Sequence, residues 1–555
     1  MLNKFTLFLL LVGLTAFYAC KDKLVDNPLT NKPPTTKIFL SPDSNKTVSQ
    51  QPSNIHLYWS GDDPDGTVLG FYFKWDDDTS WTFTTKNDSL FLLQVGAVNR
   101  SFTIKVAAVD NSGNGIYDSD IIQNGIHYGA EPFTDFNGNG VRDANVGEPY
   151  TDLNGNGKYD PGEPYTDLNG NGKYDFSEPF IDIGLIDPNP ATLTIPIKNT
   201  APTIVWDALS SHPDISFTVM TFGWDVADID GDMNHGVNTI QNINIALNDT
   251  ANFVSLNGTV SVITIRTSNF NAANPLMDIY INGIPTNLPI NSQTGDTIRL
   301  PGLKFDANNI FYVQVVDISG AKSAWISSAA QPNSNPGWFV KRPKGNVALV
   351  NNYSGFNPPV SFYTNIMDSL FSGKYDVIDL VNQKLPYINS TFLETVKLFK
   401  GILWYSDNNP SLDLAGATVQ KITAANVKIF FSMLFPLPTT DDLNVIQGFL
   451  PIRSDSSSYI STLKTNVVVS DTSHTGYPTL KVSVPFNRVR GFYLNPSVTP
   501  IYYCPNKELA GFVGFENSSK NIFFLGLPLN AMDGIPGSVA QLLTKVFFQD
   551  FNITP

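Results

Sequence analysis

The chain has 555 residues, of which 42% are hydrophobic, 12% aromatic and 15% charged, with a net charge of -15 and a pI of about 4.7. This length predicts several domains, and a composition rich in Thr, Asn, Val, Ile and Phe favours strands over helices. The acidic pI argues against nucleic acid as a partner, and the absence of a Gly-rich phosphate loop, HExxH or CxxC argues against nucleotide, zinc or redox chemistry.

The first residues have the pattern of a bacterial signal peptide. Lys4 precedes an apolar run from Phe5 to Phe17 that is too short to span a bilayer, and the run leads to Cys20. The stretch "FYAC" resembles a lipobox, which implies cleavage before Cys20 and lipidation of that residue. An ordinary cleaved signal is the alternative. We therefore predict a lipoprotein signal peptide over 1–20 and a Pro-rich tether over 21–34, with the protein anchored by lipid at the outer membrane or cell surface.

Two segments share a pattern that predicts all-β sandwiches. In residues 35–118, Trp59 lies in an alternating strand, a "DPDG" turn follows, and "SFTIKVAAVDNSGNG" adds a closing strand. In residues 198–340, Trp224 and Asp317 match Trp59 and Asp110. Both segments resemble the fibronectin type III and immunoglobulin-like modules of bacterial surface proteins, which implies two Ig/FN3-like sandwiches.

Residues 119–190 carry an acidic repeat in which "EPYTDLNGNGKYD" occurs twice. Each copy has the ligand spacing of an EF-hand calcium loop, with Gly157 or Gly172 at position 6, where the chain must bend sharply. Position 7 contributes its main-chain carbonyl, so a Lys side chain there is harmless. The predicted metal ligands are Asp152, Asn154, Asn156, Lys158, Asp160 and Glu163 in one copy, and Asp167, Asn169, Asn171, Lys173, Asp175 and Glu178 in the other.

Two earlier segments follow the same pattern less completely. One supplies the predicted ligands Asp135, Asn137, Asn139, Val141 and Asp143, with Glu148 arriving two residues late. The other, "DNSGNGIYD" from Asp110 to Asp118, lacks a terminal acid. Because no such loop follows Asp317, a plain sandwich turn is favoured there.

The prolines after the closing glutamates exclude the flanking helices of a true EF-hand. The array instead resembles the tandem calcium loops of thrombospondin type 3 repeats and dockerin-like segments, which implies Ca²⁺ as the bound ion. Residues 131–187 hold twelve acidic and three basic residues, so without cations their carboxylates would repel one another. A flexible acidic linker that binds nothing is the alternative.

From residue 344 onward, short apolar strands alternate with segments of helical spacing, which predicts βαβ units and a mostly parallel sheet. The order resembles the class I glutamine amidotransferase-like or flavodoxin-like three-layer fold, which implies an α/β domain over 344–555. Ser432 in "KIFFSMLFP" stands where that family's nucleophile would lie, but no glycine flanks it, and His474 is the domain's single histidine. We assign no catalytic residue. Asp407 and Asp413 follow a strand, where such sheets often bind ligands.

These observations predict a multidomain protein in which two β-sandwiches are joined by calcium loops and followed by an α/β domain. We expect a lipid-anchored, calcium-binding surface scaffold or binding protein with a protein or glycan partner. A hydrolase or amidotransferase-like enzyme using Ser432 or Cys504, and a glycan-binding surface protein, are the alternatives. Cys20 and Cys504 are the two cysteines, so no internal disulfide is expected if Cys20 carries lipid.

Overall fold

The computed structural model describes residues 30–40, 54–93, 100–129, 131, 133–136, 138, 142, 147–151, 159–160, 162–229, 239–330, 337–406, 409–435, 440–469, 476–504 and 509–554. The predicted features outside these ranges are Cys20, Asn137, Asn139, Val141, Asp143, Asp152, Asn154, Asn156, Lys158, Asp407 and His474. The chain divides into two compact units: residues 1–200, 229–237 and 318–321, and residues 201–228, 238–317 and 322–555. Within the described ranges, no helix has the length and apolar character needed to cross a membrane.

The first unit contains an antiparallel β-sandwich. Its strands, together with a small hairpin, are β1 (Thr35–Phe39), β2 (Asn54–Asp62), β3 (Val68–Trp75), β4 (Thr82–Thr84), β5 (Asp88–Leu92), β6 (Arg100–Asp110), β7 (Ile121–Gln123), β8 (Ile126–Tyr128) and β9 (Ala191–Ile197). One sheet has the order β1-β2-β5 and the other β4-β3-β6-β9, while β7 and β8 pair with each other. Trp59 lies in the core between the sheets, and its indole N–H donates to the Lys86 carbonyl at 2.7 Å.

The last strand of this sandwich comes long after the others. β9 pairs antiparallel with β6, from Arg100 opposite Ile197 to Val106 opposite Ala191. Ile195 and Ile197 are fully buried in the same core as Trp59. The sandwich therefore comprises residues 35–110 and 191–197, and the predicted end at residue 118 leaves out β9. The acidic segment 111–190 is an insertion between two neighbouring strands of one sheet.

Replacing Ile195 with Ala should destabilise the first unit by about 2–5 kcal/mol, because it removes a buried side chain and leaves a cavity. The exposed neighbour Thr194 is the matched control, and its replacement with Ala should change the free energy of unfolding by no more than about 0.5 kcal/mol. Denaturant unfolding measures both. Equal effects of the two substitutions would contradict the placement of β9 in the sandwich.

The second unit begins with another sandwich. Its strands are β10 (Thr203–Trp206), β11 (Ile215–Ser216), β12 (Val219–Ala227), β13 (Ile240–Leu247), β14 (Val254–Asn257), β15 (Val262–Arg266), β16 (Met277–Ile281), β17 (Arg299–Leu300), β18 (Ala307–Asn309), β19 (Phe311–Asp317), β20 (Ile326–Ser327) and β21 (Trp338–Val340). The sheet orders are β10-β12-β15-β16-β17, β14-β13-β19-β20 and β11-β21-β18. Trp224 is buried and its indole N–H donates to the Val260 carbonyl at 2.9 Å, the counterpart of the Trp59 bond to Lys86.

The rest of the second unit is built around a mixed sheet. Its strands are β22 (Val347–Asn352), β23 (Tyr375–Asp379), β24 (Gly401–Ser406), β25 (Lys428–Ser432), β26 (Ile452–Leu463), β27 (Val468–Val469), β28 (Leu480–Lys481), β29 (Phe486–Leu494), β30 (Thr499–Tyr502), β31 (Gly514–Glu516) and β32 (Ile522–Leu525). The sheet order is β23-β22-β24-β25-β32-β31-β30, with parallel pairing from β23 to β32 and antiparallel pairing beyond. β26 pairs with β29, and β27 with β28.

Helices lie on both faces of this sheet. They are α1 (Val360–Phe371), α2 (Ile388–Val396), α3 (Leu412–Ala424), α4 (Thr440–Phe449) and α5 (Ser538–Thr544). One core contains Met367 of α1 and Leu542 of α5, and the other contains residues of α2, α3 and α4. With five α-helices and 32 strands in the described ranges, the chain as a whole is β-rich. The order of strands in this sheet is not sufficient to assign the domain to the amidotransferase-like fold.

A buried acidic pair lies at the end of this sheet. Glu516 is 3% exposed, and burial, followed by the nearby Asp550 carboxylate, raises its pKa to about 7. Asp550 accepts a hydrogen bond from the Tyr477 hydroxyl at 2.8 Å and pairs with Lys545. Folding therefore disfavours the charged form of Glu516, and the native state holds a proton that the unfolded chain has released.

The raised pKa predicts a specific pH dependence of stability. The native state binds more protons than the unfolded state between the ordinary pKa of 4.5 and about 7, so the free energy of unfolding should fall as pH rises through that window. Glu516→Gln should flatten this slope, whereas Asp413→Asn, at an exposed acid of α3, should leave it unchanged. Denaturant unfolding at a series of pH values measures the slope. An unaltered slope in Glu516→Gln would contradict the assignment.

Candidate metal-binding loops

The loop from Asp167 to Glu178 is described in full, and its hydrogen bonds follow the EF-hand numbering. Asp167, at position 1, accepts from the N–H of Gly170 at 2.6 Å and of Gly172 at 2.8 Å. Gly172, at position 6, has a φ of 75°, which a residue with a Cβ adopts only with strain. These bonds, led by that from Gly172, lower the pKa of Asp167, so its carboxylate is held in the charged form.

The other ligand positions converge within the same loop. The side-chain amides of Asn169 and Asn171, at positions 3 and 5, both donate to one oxygen of Asp175 at position 9, at 2.5 and 2.8 Å. Glu178, at position 12, is 5% exposed, and its two oxygens accept from the N–H groups of Leu168 and Asp175 at 2.8 and 2.9 Å. The side-chain amides of two Asn residues thus donate hydrogen bonds to the carboxylate oxygen that a bound cation would contact.

This donor set suits a hard cation bound through mixed oxygens. Across the described residues, no three His, Cys, Asp or Glu side chains form a metal cluster by themselves. A ligand sphere here would have to include the amide oxygens of Asn169 and Asn171 and the carbonyl of Lys173. Calcium accepts such mixed carboxylate, amide and carbonyl ligands in six- to eight-fold coordination, and it tolerates irregular geometry.

The loop that begins at Asp135 closes in the same way despite its late glutamate. The N–H of Phe136 donates to Glu148 at 2.9 Å, as Leu168 does to Glu178. The N–H of Gly138 donates to Asp135 at 2.6 Å, as Gly170 does to Asp167. Glu148 is fully buried. Glu148 therefore accepts the same bond as Glu178, although it lies two residues later in its copy of the repeat.

The copy from Asp152 to Glu163 is different. Of its predicted ligands, the structure describes Asp160 and Glu163, and it does not bring them together as positions 9 and 12 of one loop. The N–H of Asp160 donates to the carboxylate of Glu131 at 3.1 Å, and the N–H of Glu131 returns a bond to the Asp160 carbonyl at 3.1 Å. Glu163 instead accepts from the N–H groups of Asp118 and Ile183 at 2.8 and 2.7 Å.

Sequence reasoning missed Glu131 and Asp182. A signal for both was present, because Glu-Pro-x-x-Asp occurs four times, at Glu131, Glu148, Glu163 and Glu178, and ends at Asp135, Asp152, Asp167 and Asp182. The first glutamate and the last aspartate of this series lie outside the twelve-residue loops that the spacing predicts. In the structure, Glu131 accepts the bond from Asp160 that a glutamate at position 12 would accept, whereas the spacing predicts Glu163 at that position.

Aromatic side chains pair the loops. Tyr174 is at position 8 of the loop from Asp167, and it stacks on Tyr117 with ring centroids 3.9 Å apart and planes 11° from parallel. Tyr165 and Phe180 form an isolated β-bridge and contact both rings edge-on. Tyr117 precedes Asp118 as Tyr174 precedes Asp175, so the stacked residues hold equivalent places in two copies of the pattern.

Ser432 and Cys504, the two described residues considered for catalysis, are both buried in the second unit. Ser432 is fully buried, and its hydroxyl donates to the Leu527 carbonyl and accepts from the Leu529 N–H, both at 3.1 Å. Cys504 is buried, and burial raises the pKa of its thiol to about 12. A thiol of that pKa is almost entirely protonated at neutral pH, which makes it a poor nucleophile.

Solved structures with low similarity to the chain include fibronectin type III modules. The fibronectin(III)-like modules of Clostridium thermocellum CbhA share 11% identity, with a TM-score of 0.15, over 56% of this chain and 95% of theirs. A two-domain fibronectin type III segment of chicken tenascin shares 9% identity, also with a TM-score of 0.15, over 53% of this chain and 97% of its own. No protein-family model and no curated protein matches the chain.

Because these TM-scores are low, the assignment rests on strand order and cores. A sheet of three strands faces a sheet of four in the first unit, all pairs are antiparallel, and a tryptophan of the second strand fills the core. The second unit places Trp224 in an equivalent strand. The protein is therefore β-rich and contains fibronectin III-like or Ig-like β-sandwiches.

The stack of Tyr117 on Tyr174 should be measurable as a coupling energy. A double-mutant cycle with Tyr117→Leu and Tyr174→Leu should give about 0.5–1.5 kcal/mol, the range for aromatic pairs in contact. The control cycle pairs Tyr117→Leu with Tyr58→Leu in β2 and should be additive. Additivity of the first cycle in denaturant unfolding would show that the two tyrosines do not pair the loops.

Proposed function

We propose that residues 111–190 form a calcium-binding module inserted into the first β-sandwich of a lipid-anchored surface protein that acts as a scaffold or binding protein. The observation that carries the proposal is the loop from Asp167 to Glu178. It combines the EF-hand ligand spacing with position 6 bonded to position 1 and position 12 held by positions 2 and 9.

Electrostatics favours cation binding by the whole segment. Twelve acidic side chains lie between residues 131 and 187 against three basic ones, and the glutamates at 131, 148, 163 and 178 are all buried. Burying carboxylates is costly unless they are hydrogen-bonded or paired with positive charge. Backbone N–H groups meet part of that need, and divalent cations would meet the rest.

The place of the module in the fold suggests what calcium would do. Both ends of the segment continue into neighbouring strands, β6 and β9, so the loops are not a linear joint between two sandwiches. Calcium would instead stiffen a projection from one sandwich. Extracellular calcium modules typically bind with dissociation constants of about 10⁻⁴ to 10⁻³ M, which suits the predicted surface location.

The role of the C-terminal sheet is proposed as binding rather than catalysis. Its relation to the amidotransferase-like three-layer fold is part of this proposal and is supported by the parallel pairing from β23 to β32. The burial and full hydrogen bonding of Ser432, and the raised pKa of Cys504, favour a structural role for both residues. Lipidation of Cys20 and the surface location are carried by the signal-peptide pattern alone.

Calorimetric titration of chelator-stripped protein tests the calcium proposal. We expect at least two sites, and at ten times the dissociation constant each should add about 1.4 kcal/mol to the free energy of unfolding. Asp167→Asn should remove one site, since it alters the position-1 ligand. The matched control is Asp120→Asn, at an exposed acid that pairs with His127 at 3.3 Å. No heat with any variant, and no gain in protease resistance over 111–190, would refute calcium binding.

A further inference from the structure

We propose a further calcium site, discontinuous in sequence, in which Asp182 serves as position 1, Asn114 to Asp118 as positions 5 to 9, and Glu163 as position 12. This inference rests on the proposed calcium function of the loop from Asp167. The sequence pattern "DNSGNGIYD" lacked a terminal acid, and the structure supplies one from 45 residues further along the chain.

The first part of the correspondence concerns positions 1, 5, 6 and 7. Gly115 donates its N–H to Asp182 at 2.7 Å, as Gly172 does to Asp167 at 2.8 Å. The N–H of Ile116 donates to the side-chain oxygen of Asn114 at 2.7 Å, as that of Lys173 does to Asn171 at 2.9 Å. Gly115 also shares the positive φ of Gly172, at 78° against 75°.

The second part concerns positions 5, 9 and 12. The amide of Asn114 donates to Asp118 at 3.0 Å, as that of Asn171 does to Asp175 at 2.8 Å. The N–H of Asp118 donates to Glu163 at 2.8 Å, and the N–H of Glu163 returns to the Asp118 carbonyl at 3.1 Å. Asp175 and Glu178 exchange the same two bonds at 2.9 and 2.8 Å.

The residue at position 2 also makes the same bond in the two sites, although in the proposed site it comes from a different segment of the chain than positions 5 to 9. Ile183 follows Asp182 directly, and its N–H donates to the second oxygen of Glu163 at 2.7 Å. In the continuous loop, Leu168 follows Asp167 and donates to Glu178 at 2.8 Å. Segments from three parts of the chain therefore reproduce every one of these contacts of the continuous loop.

An independent observation supports a cation beside Asp182. One carboxylate oxygen of Asp182, Oδ1, is fully buried, and within the described residues it has no hydrogen-bond partner. A buried carboxylate oxygen without a partner is costly, and a cation would satisfy it. Gly113 lies directly against this oxygen, and a Cβ at residue 113 would overlap the carboxylate. Because Gly113 does not have a positive φ, the requirement for glycine here comes from the close approach of the Asp182 carboxylate and not from the backbone conformation.

Asp110, which the sequence pattern placed at position 1, is engaged elsewhere. One of its oxygens accepts from the N–H of Ser112 and Leu185 at 2.9 and 2.8 Å, and the other accepts from the Asn31 side chain at 2.7 Å. The Ser112 hydroxyl also donates to Asp110 at 2.6 Å. Asp110 and Ser112 therefore hold the two ends of the insertion together through hydrogen bonds. In the proposed site, a water molecule would take position 3.

The test is the number of calcium ions bound at equilibrium dialysis by the full chain and its variants. Asp182→Asn should lower the number by one relative to the unaltered protein, as should Asp167→Asn, and the double variant by two. Asn114→Ala provides a second test of the same site, because this exposed side chain bonds to the nearby residues Ile116 and Asp118, so it decides the question if Asp182→Asn does not fold. Asp120→Asn, which removes one nearby charge outside the site, should leave the number unchanged.

The outcomes separate the two proposals. Loss of one ion in Asp182→Asn or Asn114→Ala, with Asp120→Asn unchanged, supports the discontinuous site. An unchanged number in folded Asp182→Asn and Asn114→Ala, together with loss of one ion in Asp167→Asn, would overturn the discontinuous site and leave the calcium function standing. No bound calcium in any protein would overturn both.

Discussion

The antiparallel pairing of β6 with β9 is the constraint on which the rest of the first unit depends. Because Val106 lies opposite Ala191, the chain must leave the sheet and return to almost the same point after about eighty residues. Closing so long a loop has an entropic cost that grows only slowly with length, and the buried side chains of Ile195 and Ile197 offset it. The return of the chain brings residues 182–185 beside residues 110–115, and that proximity creates the contacts between distant parts of the repeat.

The same constraint explains why Glu163 is bonded to residues outside the loop that its spacing predicts. In a linear array each loop would contain its whole set of positions, as the loop from Asp167 to Glu178 does. The insertion instead has two ends that meet, so Asp182 lies beside Gly113 rather than starting a further loop. Glu163 is then held by Asp118 and Ile183. The repeat unit is better described as the four Glu-Pro-x-x-Asp segments, with the Asn/Gly stretches between them, than as consecutive twelve-residue loops.

The sequence predicted local features well and long-range ones poorly. Trp59 and Trp224 were placed in matching strands because alternation and turn residues are local signals, and both side chains lie in sandwich cores. β9 was not assigned to the first sandwich, because its alternating pattern does not indicate which strand it will join. Spacing predicts Glu178 at position 12, and it predicts Glu148 there only if the loop bulges to take up two extra residues. Local spacing does not indicate Glu131 and Asp182, because their partners, Asp160 and Gly115, are 29 and 67 residues away.

The hydrogen bonds of Asn31 join the N-terminal segment to the base of the insertion. This residue lies within the Pro-rich tether predicted over 21–34, and its side chain donates both to Asp110 at the end of β6 and to Ser112 at 2.7 Å. Its neighbour Lys32 donates its N–H to Asp65, and β1 begins at Thr35. In the proposed lipid-anchored protein, tension along the N-terminal segment would reach the base of the insertion before it reaches the β1–β2 ladder. The polar contacts of Asn31 would yield first under load, and the strand register of the sandwich would be spared.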